Sequence, residues 1–183
     1  MGDRRPGPPC QALGRADLQT PPVTGEAVPD DSAQVPLERY VNPRRADWPE
    51  ADFVVGNPPF IGGWLIRQAH GDGYVEALWS VYPEIPQKAD YVMYWWHKAA
   101  EALAARKLQR FGFITTNSIS QVFQRRVIDK ALSEPNHPIS VQFVIPDHPW
   151  IDSAEGADVR IAMTVAVPGR APGLLYRIVS ETK

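Results

Sequence analysis

Asn57, Pro58, Pro59 and Phe60 are consecutive, and together they offer two hydrogen-bond acceptors and an aromatic face. The Asn57 side-chain carbonyl and the Pro58 main-chain carbonyl can converge on the two hydrogens of one amino group. The two prolines have fixed φ, which keeps the turn that carries these acceptors rigid. An amine attached to an aromatic ring is a poor nucleophile, because its lone pair is delocalised into the ring. Preorganised acceptors favour a more tetrahedral nitrogen and release that lone pair. Phe60 gives the ring a surface to stack on, a contact worth ~1–3 kcal/mol per base in nucleic-acid complexes. The proton leaves with or after nitrogen attack, so this chemistry asks for no catalytic histidine.

The element that must present this turn is the apolar run before it. Residues 51–56 read as a short buried strand ending in Phe53-Val54-Val55-Gly56, and ligands of open α/β sheets bind just beyond the carboxyl ends of strands. Asn-Pro and Pro-Pro pairs also form ordinary turns. The position after a strand favours a site over a plain turn.

Residues Asp52 to Gly63, with the sequence DFVVGNPPFIGG, resemble the catalytic segment of class I, S-adenosylmethionine-dependent DNA adenine-N6 methyltransferases. The likeness is nearest to the large MmeI-like methyltransferases of type II restriction–modification or phage-defence systems, where the segment also continues into Gly-Gly. Residues 88–100 resemble the helix after the catalytic loop, and residues 111–118 the next strand and its turn. The resemblance implies catalytic roles for Asn57, Pro58, Pro59 and Phe60, and cofactor contacts from Asn57 and Asp90. It implies S-adenosylmethionine as cofactor, and as partner double-stranded DNA with a flipped adenine.

The same family binds its cofactor mainly through a glycine-rich loop after a first strand. No Asp/Glu-x-x-x-Gly-x-Gly occurs in this chain. The chain is therefore expected to carry the second half of a catalytic domain, as a fragment or one piece of a split enzyme. An N-terminal cofactor-binding half and a target-recognition domain would then come from elsewhere. Protein-glutamine and ribosomal-RNA guanine-N2 methyltransferases use similar Asn-Pro-Pro-Tyr/Phe segments. Gly62-Gly63 and the Trp-rich helix favour the DNA family. A non-catalytic remnant is the reading from a different class.

The expected fold is α/β, a partial Rossmann-like class I methyltransferase sheet with parallel strands and a terminal antiparallel pair. Residues 1–48 form a Pro-rich, disordered leader, 49–170 the catalytic half, and 171–183 a tail or short strand. Nine of the 19 prolines precede Ala51, which leaves the leader unable to build a compact core. Its Arg4-Arg5 and Arg44-Arg45 pairs read as solvated. Residues 61–86 hold Gly62, Gly63, Gly71 and Gly73 among aromatic residues, as a flap over a flipped nucleotide would, or as a surface loop with a short helix near 74–81.

Val92, Trp96, Ala99 and Leu103 recur at helical spacing over residues 89–106. Their helix packs on the sheet, with Trp95-Trp96 read as core before base platform. Asp90 near its start also suits the helix dipole. A strand follows at 111–116, a helix at 121–132, and strands at 139–145 and 160–167. Gln124, Arg125 and Arg126 read as a solvated helix face before a phosphate guide. Between the last strands, Asp147, His148, Asp152, Glu155 and Asp158 lack the fixed spacing of a metal site, so no metal is expected and a loop beside the site is.

At 183 residues with 44% hydrophobic content, the chain has material for one core, but not for a full methyltransferase sheet plus a recognition domain. A net charge of −2 is unlike that of an autonomous nucleic-acid binder, so DNA affinity must come from a local patch. Cys10 is the single cysteine, which rules out an internal disulfide framework and suits a reducing cytoplasm.

Overall fold

The computed structural model describes residues 38–150 and 159–179, with short strands at 3–6, 10–11, 18–19, 28–29 and 34–35. The chain divides into two compact units, Met1–Ala46 with Arg67–Tyr82, and Asp47–Ile66 with Pro83–Lys183.

In the first unit, β1 (Asp3–Pro6), β2 (Cys10–Gln11), β3 (Leu18–Gln19), β4 (Val28–Pro29), β5 (Gln34–Val35) and β6 (Glu38–Val41) form nested antiparallel pairs, β1 with β6, β2 with β5 and β3 with β4. Much of the leader expected over residues 1–48 lies outside the described residues. Arg45 is committed within this unit: its Nε donates to the Val81 carbonyl at 2.7 Å, and its guanidinium lies 4.3 Å from the Tyr82 ring centre.

The glycine-rich segment after the turn 57–60 is largely helical, with α1 (Ile66–His70) and α2 (Asp72–Val81). Gly71 separates them at φ 78°, a left-handed conformation that costs glycine little. Arg67 fastens α2 by donating to Asp72 at 2.5 Å and Glu76 at 2.8 Å. Tyr74 packs edge-on against Tyr40.

The second unit holds a five-stranded sheet. It comprises β7 (Phe53–Gly56), β8 (Arg110–Thr116), β9 (Ile139–Pro149), β10 (Arg160–Pro168) and β11 (Leu174–Leu175), in the order β11-β9-β10-β8-β7. β7 and β8 are parallel, while β10 is antiparallel to both neighbours and inserts between β8 and β9. This is the partial Rossmann-like sheet with its terminal antiparallel pair.

Helix α3 (Val92–Ala104) buries Val92, Met93, Trp96, Ala99, Ala100 and Leu103. The fully buried Trp96 meets Phe111 edge-to-face, with ring centres 5.4 Å apart. Trp96 is therefore core, as its spacing predicted. A 3-10 turn (Asn117–Ser120) and α4 (Val122–Leu132) follow β8.

β9 runs four residues beyond the expected end at Ile145, so Asp147 and His148 lie on a strand rather than in a loop. The ladder absorbs Pro146, which has no N–H to donate, through a register shift: Ile161 pairs with His148 and Met163 with Ile145, leaving one extra residue on β9. Asp152, Glu155 and Asp158 lie outside the described residues. Among the described residues, no helix is long and apolar enough to cross a membrane.

Candidate active site

The turn 57–60 leaves the carboxyl end of β7, beside the carboxyl end of its parallel neighbour β8. Pro58 is buried and Phe60 is partly buried, while Asn57 is exposed. Pro58 thus wedges the turn into the unit, and Asn57 is held outward. Among the described residues, neither the Asn57 amide nor the Pro58 carbonyl has a hydrogen-bond partner. Two polar groups on a rigid turn are left available for an incoming ligand.

The residues after the turn are clamped to the start of α3. Tyr91 N–H donates to the Ile61 carbonyl at 2.8 Å, and Leu65 N–H closes a turn onto the Gly62 carbonyl at 2.8 Å. Gly63 lies so close to the preceding loop that a Cβ there would sit 2.5 Å from the Lys88 carbonyl oxygen. Glycine is needed here for close backbone approach. At Gly62 a Cβ would meet only Asp90 Oδ1, at 3.8 Å.

Asp90 completes the clamp. Its Oδ1 accepts from Gly63 N–H at 3.0 Å, and its Oδ2 accepts from the Ser118 hydroxyl at 2.6 Å. Ser118 also shares a 2.5 Å hydrogen bond with Thr116 at the end of β8. One half-buried carboxylate therefore joins Gly63, just after the turn, to Ser118 beyond the end of β8. The sequence drew attention to Asp90 for a possible cofactor contact. Its bridging partners were invisible because they lie 27 and 28 residues away.

The network continues outward. Asn117 Nδ2 donates to Asp147 Oδ1 at 3.2 Å, and the Arg160 guanidinium donates to both Asp147 oxygens at 2.6 and 2.7 Å. Arg160 and, to a lesser degree, Asn117 hold the Asp147 carboxyl below the usual aspartate range. A carboxylate that sequence inspection grouped with possible metal ligands is instead engaged by a guanidinium.

A second cluster was not anticipated. His97 on α3 has Nε2 2.7 Å from Glu84 and 3.2 Å from Glu101, which ties the loop before α3 to the helix that follows. Of the three α4 residues weighed as phosphate guides, Gln124 is buried and Arg125 lies 3.5 Å from Asp129. Only Arg126 remains exposed without an ion pair among the described residues.

Residues 21–176 match the family described as the MmeI DNA-methyltransferase domain. Among solved structures, the type IIL restriction-modification enzyme MmeI in complex with DNA superposes with a TM-score of 0.54 at 27% identity, over 70% of this chain. The superposed part amounts to 17% of that much longer chain. No curated protein matches. Because the family match takes in the turn 57–60, the helix after it and the sheet from β7 to β11, the chain belongs to the MmeI DNA-methyltransferase domain family.

Proposed function

We propose that this chain carries the target-base side of a DNA adenine-N6 methyltransferase acting in restriction–modification or phage defence. The observation that carries the reading is the unengaged Asn57 amide and Pro58 carbonyl, held on a rigid turn beside Phe60. An adenine flipped from the duplex stacks on Phe60. Its amino group donates one hydrogen to Asn57 and one to Pro58, which localises the nitrogen lone pair for attack. Extrusion of the base costs a few kcal/mol, which stacking and these two hydrogen bonds offset.

S-adenosylmethionine, when bound, supplies a methyl group activated by a sulfonium. On this chain Asn57 and Asp90 are the residues that would contact it. Asp90 fits, since each carboxylate oxygen accepts one hydrogen bond from the protein and has capacity for another. The rest of the cofactor site is assigned to a separate cofactor-binding half. Among the described residues β7 is an edge strand, with Phe53 and Val55 59% and 86% exposed; such an edge pairs readily with a further strand, which suits the docking of that half.

Methyl transfer tests the reading directly. The chain, alone and mixed with the cofactor-loop half of an MmeI-type methyltransferase, is incubated with methyl-labelled S-adenosylmethionine and duplex DNA, and the nucleosides are analysed. N6-methyladenine is expected. Asn57→Ala should lower its formation by about 10²–10³-fold, the range for losing one preorganised transition-state partner, with the circular dichroism spectrum unchanged. Methylation of guanine or of glutamine, or full activity in the variant, would overturn the assignment.

A further inference from the structure

We infer that Trp64, Lys88, Phe123 and Arg126 form a surface that holds the DNA strand beside the flipped base, with phosphates on the two cations and a neighbouring base on the indole. This rests on the DNA reading above and adds a binding surface to it.

The four side chains alternate ring and cation. Lys88 Nζ stands 5.7 Å from the ring centres of both Trp64 and Phe123, and Arg126 Cζ lies 5.8 Å from Phe123 on its own helix. Trp64 is 83% exposed, so Lys88 covers little of it. An indole presented to solvent in this way is rare without a partner, whereas tryptophan is among the best surfaces on which a base can stack. Val122, 64% exposed, extends the apolar ground at the start of α4.

Charge points to the same partner. Among the described residues, Lys88 and Arg126 make no ion pair, so both keep full charge toward solvent in a chain whose formal net charge is −2. Arg125, one residue away, lies beside Asp129. Unopposed cations interleaved with aromatic rings match a nucleic-acid strand, which presents phosphate and base in alternation.

Position ties this surface to the proposed reaction. Trp64 is four residues beyond Phe60, and the Lys88 backbone is in close contact with Gly63. The clamp that positions the catalytic turn therefore also fixes Lys88 and Trp64 relative to it. A strand seated on the platform is delivered to Asn57 in a set register.

Fluorescence anisotropy with a labelled duplex carrying a mismatched adenine tests the inference on the full chain over a range of salt concentrations. Trp64→Ala should weaken binding about tenfold, a cost within that of losing one base stack, with no change in salt dependence. Lys88→Ala and Arg126→Ala should each weaken binding and lower the logarithmic salt slope by about one, as loss of a phosphate contact does. Lys107→Ala, before the opposite end of β8, should bind like the parent. If the parent binds and the first three variants bind equally well, the surface inference fails and the DNA reading stands. A parent that binds no DNA, or binds only an RNA hairpin, overturns both.

Discussion

The turn 57–63 and the surface of Trp64, Lys88, Phe123 and Arg126 meet at Gly63, which precedes Trp64 and packs on the Lys88 backbone, yet they are stabilised in opposite ways. The turn is secured from within: Pro58 is buried, the Ile61 carbonyl accepts from Tyr91 N–H, Gly63 N–H donates to Asp90, and Asp90 reaches across to Ser118. The adjoining surface holds the exposed Trp64 ring, the half-buried Phe123 ring and two cations without ion pairs among the described residues. The difference separates two physical tasks. Chemistry needs acceptors fixed within a fraction of an ångström, so the surrounding groups are consumed in fixing them. Binding a flexible, charged strand needs groups left unsatisfied until the partner arrives.

If this contrast is right, changing the clamp should alter geometry before affinity, and the two glycines separate the effect most sharply. Gly63→Ala places a methyl 2.5 Å from a backbone carbonyl, which no side-chain rotation relieves. A loss of about 1–3 kcal/mol is expected from such overpacking, read by thermal or urea unfolding, together with loss of methyl transfer. Gly62→Ala finds only ordinary contact and should leave stability within about 0.5 kcal/mol of the parent. Equal stability of the two variants would contradict the close approach that defines the clamp.

Asp90 gives the next largest effect. Asp90→Ala removes both acceptors and should release the turn, lowering methyl transfer about ten- to hundredfold through misplacement. Asp90→Asn keeps one acceptor for Gly63 N–H and should recover part of that loss. Affinity for a mismatched duplex should stay close to that of the parent in both, because the strand-holding surface lies outside the carboxylate's bonds. A variant that lost DNA affinity first would merge the two regions that the structure separates.

Much of this organisation was legible along the chain, for identifiable reasons. Val92, Trp96, Ala99 and Leu103 carry a helical period strong enough to predict both α3 and its buried face, and the alternation of Phe111, Phe113 and Thr115 marks β8. The turn at Asn57 was readable as a turn because two prolines follow directly on an apolar strand. Pairings distant in sequence were not readable: nothing in the neighbourhood of Asp90 indicates Gly63 and Ser118, or that Lys88 lies between two aromatic rings. The extension of β9 was hidden for a different reason. Pro146 reads locally as a strand end, and only the register shift against β10 accommodates it.

The smallest expected effect lies at the outer end of the clamp, where Asp147 and Arg160 join β9 to β10. Asp147 is held below the usual aspartate range chiefly by Arg160, so it binds fewer protons than its unfolded counterpart as pH falls. The stabilisation is fully present above the ordinary aspartate pKa of about 4 and is lost as pH drops through the depressed folded value. Carboxyl NMR titration should find Asp147 still ionised below the ordinary aspartate range. In Arg160→Ala the Asp147 titration should move up toward the ordinary range, and the stability difference between the variant and the parent should shrink below pH 4. Methyl transfer near neutral pH should change little, because Asp90 holds Gly63 without help from Asp147. A large loss of transfer in this variant would mean that the outer pair also positions the turn, and that the clamp acts as one unit from Gly63 to β10.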